Sequence, residues 1–146
     1  MDKNLQDFKS EVKIRMKPFK YKHFSKGSKL GNSLLTRIRV GRSDLKEHKF
    51  LIGQSESTEC LCHHNLESPK HFFLDCFLYS VERRILFDLI DHLVPNFPRL
   101  NRTEKFDIII RGVDIKNTEF ISTNTRITKA VQKFIISSKR FSINEE

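Results

Sequence analysis

All three cysteines of this 146-residue chain stand in one short segment: Cys60-x-Cys62, eight intervening residues, His71, four more, then Cys76. Three thiolates and one imidazole are a standard closed ligand set for zinc, which takes four nitrogen or sulfur ligands in a tetrahedron. Cys60 and Cys62 are too close in the chain for an ordinary disulfide, and in a reducing compartment clustered Cys beside His favours a metal or a free thiol. The spacing also dictates local shape. A Cys-x-Cys pair reaches one ion only through a tight backbone turn, and the eight-residue loop must bring His71 back to it. His71 and Cys76 are five residues apart, about 140° around an ideal helix, so both face one ion only if the helix loosens before Cys76. We therefore expect a short helix to end near Asp75. His63 and His64 leave the ligand set open, since either could replace His71 or Cys62; they are read as supporting or solvent-exposed groups. The bland alternative makes Cys76 a small core residue, His71 a surface imidazole and the Cys60/Cys62 pair a coincidence. Four protein ligands leave no position for water, which argues against zinc hydrolysis.

Periodicity around this segment is helical. Leu34, Leu35 and Ile38 predict a helix over residues 32–40 ended by Gly41, with Arg37, Arg39 and Arg42 outward. Ser43 suits an N-cap for a second short helix over 44–51. Residues 53–69 read as a polar loop, and Ser68-Pro69 as cap and first position of the helix carrying His71. A further helix runs from an N-cap at Ser80 to about Leu93, with Ile85, Leu86, Leu89, Ile90 and Leu93 on its apolar face. Pro95 and Pro98 force a turn, and two last helices are expected over about 102–111 and 119–140. The fold class expected is mostly α: a small helical domain over 30–143 with a zinc-knuckle-like Cys/Cys/His/Cys insertion, its metal segment at 58–78, behind a basic N-terminal arm over 1–29, extended or partly disordered.

Charge is concentrated at the ends. The formal net charge is +9. Residues 1–29 hold nine basic and three acidic side chains and residues 100–146 nine and six, whereas residues 60–99 hold four and five. A basic excess points first to a polyanion. Lys13, Arg15, Lys17, Lys20 and Lys22 of the arm, with Arg37, Arg39 and Arg42, are the candidate phosphate contacts, and Arg83-Arg84 and Lys139-Arg140 could add to that surface. Sixteen Lys beside a single Ala could equally reflect A/T-rich codon usage. Phe19, Phe24, Phe72 and Phe73 could stack on unpaired bases, although adjacent Phe72 and Phe73 beside the ligands read better as core. Residues 1–10 contain no apolar run of seven, and stretches such as Ile108-Ile109-Ile110 fall far short of the roughly 20 residues that span a bilayer. An intracellular protein, nuclear or cytoplasmic rather than secreted and without a membrane partner, is expected.

The run Leu34-Leu35-Thr36-Arg37-Ile38-Arg39-Val40-Gly41-Arg42-Ser43-Asp44-Leu45-Lys46-Glu47-His48-Lys49-Phe50, followed by Cys60-Leu61-Cys62 and Glu67-Ser68-Pro69-Lys70-His71-Phe72-Phe73-Leu74-Asp75-Cys76-Phe77-Leu78-Tyr79, resembles the C-terminal zinc-binding tail of non-LTR retrotransposon reverse transcriptases, the jockey-like group in particular. The resemblance extends from about Phe19 to the closing Ser138-Lys139-Arg140-Phe141. Carried onto this sequence, the family's Zn²⁺ ligands fall on Cys60, Cys62, His71 and Cys76. Two positions depart from the family's pattern: His63 stands where Gly commonly follows the second Cys, and Phe77 where Pro commonly follows the last. Losing the Gly makes the tight turn costlier, and losing the Pro weakens the helix stop. The polymerase's paired aspartates are absent, since no Asp-Asp dipeptide occurs. No Gly-rich phosphate loop, Gly-x-Ser-x-Gly elbow or His-Glu-x-x-His appears either. The expectation is a non-catalytic, zinc-binding module that binds RNA or DNA nonspecifically, with no small-molecule substrate, from a truncated element. The alternatives are a zinc-stabilised protein-interaction domain and a decayed element fragment without a selected function.

Overall fold

The structure, a computed structural model, describes residues 26–113 and 118–141. Among the described residues there are six α-helices: α1 (Lys29–Arg39), α2 (Lys46–Leu51), α3 (Pro69–Leu74), α4 (Ser80–Leu93), α5 (Arg102–Arg111) and α6 (Ile121–Ser138). Among the described residues there is no strand, only an isolated antiparallel bridge between Glu59 and Leu66. No helix among them is long and apolar enough to cross a membrane.

The helix ends follow from local chemistry. The α1 helix begins three residues earlier than expected because Ser28 caps it, accepting from the Gly31 amide at 2.9 Å. It stops where Gly41 takes φ +71°, a backbone geometry that glycine adopts without steric cost. Ser43 does not cap α2; its hydroxyl accepts from the Leu45 amide in a local turn at 3.3 Å. Glu67 does that work from across the fold, its carboxylate accepting from Lys46 N (2.9 Å) and its carbonyl from Glu47 N (3.2 Å). Ser68 caps α3 as expected, accepting from His71 N at 3.1 Å. Ser80 is the first residue of α4 and Tyr79 its cap, because a 3-10 turn over Phe77–Tyr79 leads into the helix. Asn101 caps α5 through Glu104 N at 2.9 Å.

The long α6 helix is the spine, packed against α4 and α1, and it buries Ile127, Val131, Phe134 and Ile135. Phe72 and Phe73 of α3 are wholly buried, which places them in the core rather than on a stacking surface. The Phe72 ring meets Tyr79 and Phe134 edge-on at 5.1 Å, and Phe141 at 5.7 Å. The short α3 helix therefore joins the metal segment to the core.

Three further expectations need correction. On α4 only Leu86 and Ile90 are buried; Ile85 (52% exposed) and Leu89 (44%) face solvent, because α6 covers a stripe narrower than the apolar face. Arg39 points inward, 3% exposed, with Nε donating to the Ile110 carbonyl at 2.8 Å. Lys26 to Lys29 are joined to the helices, Gln132 Nε2 donating to the Lys26 carbonyl at 2.6 Å and Ser28 capping α1. The rest of the expected arm, with Lys13, Arg15, Lys17, Lys20 and Lys22, lies outside the described residues.

Candidate metal centre

Residues 58–67 fold into a tight knuckle. The Glu67 amide donates to Thr58 O and the Cys60 amide to Asn65 O, each at 2.8 Å, and His63 N closes the turn onto Cys60 O at 2.9 Å. That turn forces His63 to φ +63°, the left-handed region that a glycine would occupy without penalty. The knuckle aims amides at sulfur: the Cys62 amide at the Cys60 thiol, those of His64 and Asn65 at Cys62, and that of Leu78 at Cys76. Burial pushes the Cys60 thiol up to about 12 and the Cys76 thiol above its usual range. At Cys62 burial acts the same way, but the His64 and Asn65 amides and the two neighbouring thiols outweigh it and hold the group below its usual value.

The α3 helix brings in the remaining ligands. His71 is presented from its first turns, and the backbone breaks before Cys76, where the Asp75 and Cys76 amides both return to the His71 carbonyl (3.0 and 2.9 Å). This is the loosening that the five-residue spacing requires. One donor atom from each of Cys60, Cys62, His71 and Cys76 lies within 4.8 Å of every other, and all four residues are buried. Cys60 Sγ and Cys76 Sγ are 3.7 Å apart, and Cys62 Sγ and His71 Nε2 3.4 Å. A tetrahedral zinc with ordinary bond lengths separates two sulfurs by about 3.8 Å and a sulfur from a nitrogen by about 3.6 Å. The donor set fits such an ion. Burial lowers the proton affinity of His71, favouring the neutral ring that a ligand must be. His63 and His64 stand outside the cluster: His63 lies 3.6 Å from Glu59, and His64 packs edge-on to Phe77 at 5.6 Å.

Three residues around the cluster have roles that the sequence reading did not assign. Glu67 is 1% exposed and accepts from two Arg140 nitrogens, Nε at 2.7 Å and Nη2 at 2.5 Å, while the Cys60 thiol reaches its Oε2 at 3.8 Å. Arg140 also donates to the Asp44 carbonyl at 3.0 Å. Arg83 donates to the carbonyls of Phe73 (2.9 Å), Phe72 (3.2 Å) and Cys76 (2.7 Å). Sequence left both arginines as possible additions to a phosphate-binding surface; instead each is committed to carbonyl or carboxylate groups of the protein. Nothing in their sequence neighbourhood marks them, because a charged side chain beside another charge reads as solvated. Of the other candidate phosphate contacts, Arg37 and Arg42 are exposed, and the burial of Arg39 removes it from reach of a polyanion. An open concavity of about 300 Å³ lies between Lys46, Lys49, Gln54, Ser55, Asp44 and Arg140.

Fold and site together define a small helical protein built around a Cys₃His cluster. No family model, curated protein or solved structure matches the chain.

Proposed function

We propose that this chain is a non-catalytic, zinc-stabilised module that binds RNA or DNA through phosphate contacts, as the resemblance to retrotransposon reverse transcriptase tails implies. The observation that carries the zinc half is the convergence of four buried donor atoms at tetrahedral spacing. Such a closed set holds structure rather than activating water. Support for the nucleic-acid half is the +9 charge concentrated toward the two ends, together with exposed Arg42 and the Lys46 and Lys49 side chains beside one concavity. We expect one zinc per chain by elemental analysis, abolished by Cys62→Ser. Affinity for a duplex or single strand should fall steeply between about 50 and 200 mM salt, as counterion release demands. Binding that ignores salt, or no binding at all, removes the phosphate-contact reading.

One observation favours the second reading, a protein-interaction domain. On α4, Val81 (70% exposed), Ile85 and Leu89 form an apolar row at four-residue spacing, continued by exposed Leu78. Replacing Ile85 by Lys separates the two readings: nucleic-acid affinity should hold or rise under the first, and protein association be lost under the second.

A further inference from the structure

The geometry that lets His71 and Cys76 share an ion leaves a problem behind. A helix ending at Leu74 strands its last carbonyls. The Cys76 amide, which would otherwise serve the Phe72 carbonyl, goes to His71 O. Phe77, not a proline, follows Cys76, so no residue there enforces the stop. Arg83, reaching back from the first turns of α4, covers the Phe72 and Phe73 carbonyls and the Cys76 carbonyl with one guanidinium.

We propose that Arg83 is the positioning residue of the metal centre: its planar fork fixes the helix break that turns Cys76 toward His71, and its cation sits beside a cluster that carries net negative charge once loaded. The inference rests on the zinc reading above. Three thiolates on a divalent ion leave one excess negative charge, and a buried charge needs a compensating partner nearby. Arg83 supplies it through the Cys76 carbonyl, 2.7 Å away. Lysine cannot replace it fully, since an ammonium is a single point and does not span three carbonyls in a fixed plane. Arg83 thus does in space what a proline after Cys76 would do in sequence.

The test is metal binding by the full chain, read by zinc competition against a chromophoric chelator and by the visible spectrum of the Co²⁺-loaded protein. Arg83→Met is expected to weaken zinc about 10- to 100-fold, the usual effect of removing a group that orients a ligand. It should also alter the tetrahedral Co²⁺ bands, which report ligand placement directly. Arg83→Lys should recover part of the affinity while keeping an altered spectrum, and Arg84→Met, on the exposed face of the same helix, should leave both unchanged. If Arg83→Met does not fold, the Lys variant decides: wild-type affinity and spectrum there overturn the proposal. So does a folded Arg83→Met with zinc affinity within about twofold of wild type and the same spectrum. A wild-type chain that takes up no zinc or cobalt overturns the zinc reading and this proposal together, an outcome distinct from metal uptake that ignores Arg83.

Discussion

Glu67 shows what a single side chain can join. Its carboxylate, 1% exposed, caps α2 through Lys46 N, accepts from the Cys60 thiol and holds the Arg140 guanidinium. Removing one partner of such a pair leaves an uncompensated buried charge, so Arg140→Met should destabilise the fold by about 3–5 kcal/mol in urea titration. The double variant Glu67→Gln with Arg140→Met should cost less than the single. His63 acts in the opposite direction. A non-glycine residue at φ +63° carries strain of order 1 kcal/mol, so His63→Gly should raise the unfolding midpoint of the metal-loaded protein; a lowered midpoint would mean that the ring's exposed contacts matter more than the backbone. That a residue other than glycine after Cys62 makes the tight turn costlier was legible in the sequence. Glu67 was not, because a lone acidic residue in a polar loop carries no signature of its burial; only Arg140, distant in sequence, makes that burial tolerable.

Elements were legible where their ends carry their own chemistry. The Ser68-Pro69 start lies where cap and first-turn residues place it, and Ser68→Ala should cost about 1 kcal/mol while also weakening metal binding, since Ser68 Oγ holds the His71 amide. Where a helix end is set by a distant partner, sequence was silent: α2 begins at Glu67's bidding rather than at Ser43. Face width is the other blind spot. Periodicity assigns α4 five core residues, but how many are covered depends on the breadth of α6 against it. Ile85→Gln should therefore change stability by no more than about 0.5 kcal/mol, whereas Ile90→Ala should cost about 2–5 kcal/mol. Equal losses at the two positions would contradict the observed packing.

At the scale of the whole molecule, the helical class and the four-residue cluster were both readable, because each rests on spacing. Arg39, Arg83 and Arg140 turn inward for the reason that α4's face is narrower than expected: which charges are solvated is settled by tertiary packing. His48 gives the molecule a directional response to acid. Burial and the nearby Arg42 charge lower its proton affinity below the usual 6.5, so below that pH the unfolded chain takes up a proton that the folded chain resists. Stability contributed by the neutral ring is present above about pH 6.5 and lost as pH falls. The metal-free protein should thus show a lower urea midpoint at about pH 5.5 than at pH 7.5, with a shallower difference in His48→Gln. Stripping metal with a chelator should loosen the knuckle first, as its hydrogen bonds enclose few apolar side chains, while the α4/α6 core survives longer.

The Glu67–Arg140 clasp sets an order on the making of this protein. The four ligands occupy one short stretch, so the knuckle can close around its ion soon after that stretch leaves the ribosome. Arg140 follows Glu67 by 73 residues; at about 5–20 residues per second, it arrives several seconds later. Until then the carboxylate has no cation to meet and must stay hydrated, which keeps the seam between the knuckle and α2 open. The last residues synthesised before Phe141 are therefore the ones that lock the first-formed part of the molecule.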